Sequence, residues 1–293
     1  MVDQEEDLLT QKVAVVTDSI ACLNRDLVEQ YGIGIIPLNF YAGGKLYKDW
    51  VDVTPTEAYE LFLKDPDSFK TAASSPQDCL NAFYEARQVA KNIVCVTVSV
   101  KLSAVYNVAC EAREIVQSEH PDTRIEVLDS HTATPAEGFV ALAAARAARE
   151  GKDMSAVTSA ALDMRERVHV IVLLETIQHV YRSGRIPRIA ARVGSILSIR
   201  PIFTVSDVVH FAGAVRNKKR GIERILQMMR NKVGNKVAHV AVMHAYAPEE
   251  AEKLKERVAT EFKCAELWLT EFSPLMGYAC GTGTLGIAFY VEG

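Results

Sequence analysis

Short apolar runs alternate with stretches of helical period through the first half of the chain. Val13-Ala14-Val15-Val16 is unbroken and apolar, the mark of a strand buried on both faces. Ile33 to Phe40 repeats the pattern with Pro37 inside it, which predicts an edge strand or a bend, because Pro cannot donate to a ladder. Thr54-Pro55-Thr56-Glu57 is a helix start, a capping box with Pro at the first helical position. Cys79, Phe83, Ala86 and Ala90 recur at spacings of four, three and four, one face of an amphipathic helix. Ile93 to Val98 and Ile125 to Leu128 read as further strands. Ala136 to Glu150 is an Ala-rich helix stopped by Gly151.

A second helix follows, with Val157, Ala161 and Met164 on one face, and the texture then changes. Val168 to Leu174 is a strand, and Ile202 to Ala212, interrupted by Ser206-Asp207, reads as a hairpin. A helix over Ile222 to Met229, the strand Val237 to Met243, a helix from near Pro248 and the strands Ala265 to Thr270 and Gly286 to Val291 close the chain. The predicted fold class is α/β in two domains. Residues 13–162 form a mostly parallel sheet with helices on both faces, and residues 163–293 an α+β domain. Residues 1–12 are acidic and expected to be disordered.

Composition narrows the functional classes. The 293 residues, 49% of them apolar, suit one large domain or two ordinary ones, and a net charge of −4 argues against a nucleic-acid partner. Six cysteines are scattered without a CxxC pair, as reduced core residues are. The N-terminus lacks a signal pattern, and no apolar run approaches the ~20 residues that span a bilayer. The expectation is a soluble, cytoplasmic protein that is not integral to a membrane.

The candidate chemistry lies at strand ends, where open α/β sheets bind ligands. Thr17-Asp18-Ser19, Ser99 with Leu102-Ser103, Asp129-Ser130 and the loop Thr71 to Pro76 with Ser75 all bring hydroxyls there. Each taken singly is an N-cap; together they suggest a shared polar pocket. No Gly-rich phosphate cradle of the GxGxxG or GxxxxGK[ST] type lies at these strand ends, so a carboxylate held by neutral donors near helix N-termini fits better. Neither a GxSxG elbow nor an HExxH or HxH spacing occurs. No metal and no cofactor is expected. His131 reads as a loop histidine, His244 as a core residue, and Gly281 and Gly283 beside Cys280 as a tight turn before the last strand. Arg182, Arg185, Arg188 and Arg192, with a second cluster at Arg216 to Arg220, form either a solvated face or a docking surface for an acidic or phosphate group.

In their order these motifs resemble the DegV family, whose characterised members are fatty-acid-binding subunits of bacterial fatty acid kinase. Val16-Thr17-Asp18-Ser19 with Leu23 matches the opening strand and turn, and Thr71, Ser75 and Pro76 match the TSQPSP loop. Ser99, Leu102, Ser103, Tyr106 and Ala109 match the segment around LSGTY, and Asp129-Ser130 with Gly138 matches the DS…G element. Ser183 to Ile186, Arg200-Pro201-Ile202, Arg216 and Gly281 to Gly286 match the GGRI, KPI, arginine and closing glycine elements. The resemblance covers about Val13 to Val291. It implies one long-chain, palmitate-like fatty acid in a tunnel between the domains, its carboxyl group held by Thr71 and Ser103. Ser99, Ser75, Asp18 and Ser19 are additional head-group candidates. It also implies that an ATP-dependent fatty acid kinase subunit receives the carboxyl group, with Arg185 and Arg216 at the docking surface, and that the carrier itself does no chemistry.

Three departures from the family pattern stand out. Ala279 stands where the family has a His that helps to fix the carboxyl group, Ala104-Val105 replace Gly-Thr, and Thr282 replaces Pro. Two other readings accompany the carrier. A small-molecule transferase or hydrolase using the same cleft predicts a perturbed pKa at His244 or Cys280. An interaction protein predicts an anionic partner bound through Arg185 and Arg188.

Overall fold

The computed structural model describes residues 11–72, 74–176, 184–185 and 199–292. The disorder expected over 1–12 falls largely on residues 1–10, and Arg182, Arg188 and Arg192 of the basic run likewise lie outside the described residues.

β1 (Val13–Asp18) is buried along its whole length, as an unbroken apolar run predicts. A 3-10 turn at Ser19–Ala21 leads to α1 (Arg25–Tyr31), which ends on Gly32 at φ +62, and to β2 (Ile33–Ile36). The predicted strand Ile33 to Phe40 breaks there. Pro37 has no N–H, its carbonyl accepts from Ser74 Oγ at 2.9 Å, and the Leu38 N–H goes to Ser19 Oγ at 3.2 Å. The chain leaves the first sheet and resumes as β3 (Asn39–Ala42), in a small antiparallel sheet with β4 (Lys45–Lys48). After α2 (Pro55–Lys64), opened by the predicted capping box of Thr54 and Glu57, β5 (Lys70–Ala72) joins β3 on its other side. Thr71 therefore sits on an edge strand opposite Phe40, not in the predicted loop.

α3 (Pro76–Arg87), β6 (Asn92–Thr97), α4 (Val105–Glu119) and β7 (Arg124–Asp129) follow. The first sheet runs β2-β1-β6-β7 and is parallel throughout. α5 (Pro135–Arg149) and α6 (Met154–Arg165) lead to β8 (His169–Leu173). β9 (Arg200–Ser206) and β10 (Val208–Val215) form the predicted hairpin, which turns at Asp207 with φ +62. α7 (Lys218–Val233), β11 (Ala238–His244), α8 (Pro248–Glu261), β12 (Cys264–Glu271), α9 (Pro274–Cys280) and β13 (Leu285–Val291) complete the chain. The second sheet runs β10-β9-β8-β13-β11-β12, and β11–β12 is its one parallel pair among the described residues.

The two-residue period of the strands sorts the core into layers. Val16, Ile93 and Cys95 meet α3 and α4 on one face of the parallel sheet. Val15, Val94 and Val96 point the other way, into a cluster with α5 and α6 that also takes Val172, Ala288 and Tyr290 of the second sheet. Ile171, Val240, Val242 and Ile287 face α7 and α8 on the far side. α5 is thus shared by both sheets. Of its 15 residues 12 are buried, which explains an Ala-rich sequence without a polar face. Phe139 packs against Trp268 and Tyr290, with ring centroids 5.6 and 5.1 Å away. Gly138 lets the helix approach the turn after β1, since a Cβ there would lie 2.7 Å from the Ala21 carbonyl oxygen. A second close approach fixes α9: the ring of Tyr59 occupies the space of a Gly277 side chain, and its hydroxyl donates to Phe272 O at 3.1 Å. Among the described residues no helix is long and apolar enough to cross a membrane.

Candidate functional site

At the end of β1 the polar side chains serve the fold. Asp18 Oδ1 accepts from Ile20 N at 2.9 Å and Oδ2 from Val98 N at 2.8 Å, tying the ends of β1 and β6 together. Burial pushes its pKa up to about 6. Glu137, from the first turn of α5, is fully buried beside it and accepts from Thr17 Oγ1 at 3.4 Å. Burial and the negative charge of Asp18 drive the Glu137 carboxyl well above its ordinary range. Glu137 Oε2 has no hydrogen-bond donor among the described residues, as suits a carboxyl that burial holds neutral. Asp49, pushed to about 6 by burial, accepts from Ser273 Oγ at 2.6 Å.

Four of the head-group candidates are engaged in this framework. Asp18 and Ser19 hold backbone N–H groups. Ser75 is the N-cap of α3, donating to Asp78 Oδ2 at 2.6 Å and accepting from Asp78 N at 3.1 Å. Ser99 donates to Asp207 O at 2.6 Å, which fastens β6 to the β9–β10 turn. None of the four lines the cavity described next.

That cavity lies where the two sheets, the small sheet and α9 converge, with about 1030 Å³ of space between its walls, solvent-side opening included. Ile20, Val98 and Ala133 contribute from the first sheet's edge, Leu38, Thr71 and Ala72 from the small sheet. Val172, Phe203, Val205 and Val209 come from the second sheet, and Leu275, Met276, Ala279 and Cys280 from α9. Thr71, Ser103, Thr134 and Arg185 are the hydroxyl-bearing and charged residues of this wall among the described residues.

The three hydroxyls differ from the framework ones in keeping hydrogen-bonding capacity that no described residue uses. The Thr71 hydroxyl has no partner among the described residues, because β5 uses only its backbone. Ser103 Oγ accepts from Val105 N at 3.4 Å, at the start of α4, and its proton has no acceptor among the described residues. α4 has Ala104 at its N-cap and no side-chain cap, so the helix presents open N–H groups beside Ser103. Hydroxyl donors next to a helix N-terminus suit an anion such as a carboxylate. Arg185 lies at the exposed side, its Nε donating to Leu102 O at 3.3 Å. Arg216 is also exposed, but it stands between β10 and α7 outside the cavity wall, its carbonyl accepting from Arg200 Nη1 at 3.3 Å.

The groups considered for enzyme chemistry are perturbed in an inert direction. Burial pushes the Cys280 thiol up to about 12, which suppresses the thiolate a nucleophile needs. Burial also lowers His244 to about 4, and its Nδ1 accepts from Ala247 N at 3.3 Å. His244 does not line the cavity. Asp129, His131 and Asp207 bring possible metal-ligand atoms within 4.8 Å of one another, a grouping that sequence spacing missed because the hairpin turn supplies Asp207. Asp129 already accepts from the N–H groups of Val100 and His131, and Asp207 from Ser99.

A sequence model of the DegV family, described as an uncharacterised protein family, matches residues 12–292. The chain belongs to the DegV family. Its DegV relatives include a DegV domain-containing protein of Clostridium perfringens, 32% identical over 283 residues that cover 96% of this chain and 99% of that one. A solved DegV family protein from Thermus thermophilus, described by its fatty acid binding, is 27% identical with a TM-score of 0.85, covering 96% of this chain and 100% of that one. The Bacillus subtilis DegV, described as a fatty acid binding protein, shares the fold at a TM-score of 0.86 and 24% identity, over 97% of this chain and 100% of its own.

Proposed function

We propose that this DegV chain is a carrier that buries one long-chain fatty acid in the cavity and holds its carboxyl group with Thr71 and Ser103. The observation that carries the reading is a cavity wall of mostly apolar side chains interrupted by hydroxyls whose protons meet no acceptor among the described residues. An acyl chain of ~16 carbons gains about 0.8 kcal/mol per buried CH₂, on the order of 10 kcal/mol before the costs of association. A buried carboxylate tolerates such a place only if its lone pairs are met. Two hydroxyls and the open end of α4 meet them. Ala279, where the family resemblance leads one to expect His, adds no polar group, so the hydroxyls carry more of the head-group binding in this chain. The protein binds without turning its ligand over, and it presents the carboxyl group to a separate ATP-dependent kinase subunit. Arg185 at the cavity and Arg216 on the exposed surface are the docking candidates.

Native mass spectrometry of protein purified without added lipid tests the carrier, followed by denaturation to identify what is released. A mass increment matching a long-chain fatty acid, lost in T71A/S103A, is the expected result. Protein that is empty and takes up no added fatty acid refutes it.

A further inference from the structure

One group in the cavity wall is used neither by the fold nor by the carboxyl site above. Thr134 immediately precedes α5, fully buried, and it lines the cavity. A Thr at this place ordinarily turns its hydroxyl back onto the helix's own N–H groups. Here the side chain makes no capping bond, and Oγ1 has no hydrogen-bond partner among the described residues. Its backbone sits at φ 64 and ψ −159, a region that glycine enters freely and a β-branched residue does not. Both features work against folding, and a buried hydroxyl without a partner is the exception in native proteins. Glu137, in the same first turn, sets no carboxylate against an incoming oxygen, because burial favours its neutral form.

We propose that Thr134 and the uncapped N-terminus of α5 form a second polar anchor in the cavity, which hydrogen-bonds an acceptor oxygen of the bound acyl ligand. The proposal rests on the carrier reading and adds to it a contact separate from Thr71 and Ser103. A hydroxyl donor at the positive end of a helix recognises an oxygen lone pair. Two places on an acyl ligand supply one: the second oxygen of the carboxylate, and a hydroxyl or keto oxygen along the chain.

The test compares T134V, T134S and T134G with the wild type, all stripped of lipid. Each is titrated with palmitic acid and with a 16-carbon acid carrying a mid-chain hydroxyl, and each is melted without ligand. T134S keeps the donor and binds as the wild type does. T134V loses it and binds roughly tenfold more weakly or worse. T134G relieves the backbone, so it melts higher than the wild type while binding more weakly, a combination that a purely structural role does not produce. It also serves should T134V fail to fold. Weakening toward both acids assigns the contact to the carboxylate; weakening toward the hydroxylated acid alone assigns it to the chain. Unchanged affinity of T134V and T134G for both acids overturns the proposal and leaves the carrier reading standing. A wild type that binds neither acid sinks both.

Discussion

Two sets of polar side chains gather at the same edge of the parallel sheet, and the protein treats them in opposite ways. Asp18, Ser19, Ser75 and Ser99 each close a hydrogen bond to a neighbouring strand, helix or turn. Thr71, Ser103 and Thr134 stand in the cavity wall with hydroxyls that the described residues leave wholly or partly unused. Chemically the two sets are alike. Their difference is whether the fold has already supplied a partner, and an unmet donor in an apolar wall is the better mark of a binding site.

The first set should therefore govern stability and the second affinity. The largest expected effect comes from D18A, which strands the buried N–H groups of Ile20 and Val98. A loss on the order of 3 kcal/mol, read from the urea midpoint, is expected; a loss below about 1 kcal/mol would place Asp18 outside the framework.

A pH effect of similar size follows from the same crevice. Asp18 and Asp49 have folded pKa values near 6 against an ordinary 3.8. Raised values mean that their contribution is complete below 3.8 and fades as pH rises through 6, about 3 kcal/mol for Asp18 alone. His244 works in the opposite sense. Lowered from 6.5 to about 4, it supports the fold above 6.5 and withdraws that support as pH falls through 4. Urea midpoints between pH 4 and 7 should fall less steeply with rising pH in D18N and more steeply in H244Q. Parallel curves for the three proteins would contradict this assignment.

T71A/S103A sharpens the comparison from the cavity side. Fatty-acid affinity should drop ten- to a hundredfold, as expected for hydrogen bonds to a charged group, while the melting temperature of the lipid-free protein stays put. S75A should do the reverse on a smaller scale, with about 1 kcal/mol lost from the α3 cap and no change in affinity.

The sequence shows the framework better than the site. Strands with an unbroken apolar run, such as β1 and β6, and α2 with its capping box carry their own signals and stand close to where the pattern predicts them, while α3 ends at Arg87, short of the Ala90 that its period includes. The small sheet carries none. β4 is Lys-Leu-Tyr-Lys with much of its surface exposed, and β5 has only three residues, so neither shows a period to detect. α9 is equally short, and its Leu275, Met276 and Cys280 reach the cavity only because Tyr59 and the turn after β12 set its angle. Thr71 and Ser103 stand out only through the family resemblance, since spacing cannot tell a binding hydroxyl from a cap. Thr134 is illegible for the same reason: a Thr-Pro pair before a helix looks like any N-cap, and its positive φ leaves no trace in the sequence.

The helix shared by the two sheets also has a consequence for synthesis. When α5 leaves the ribosome, β1 and β6 exist to cover one of its sides, but β12 and β13, which receive Phe139, are still untranslated. At ordinary elongation rates that interval lasts on the order of 10 s. For that time the nascent chain carries an apolar surface of alanines and a phenylalanine that β12 and β13 have yet to cover, the kind of surface that makes a folding intermediate prone to aggregate.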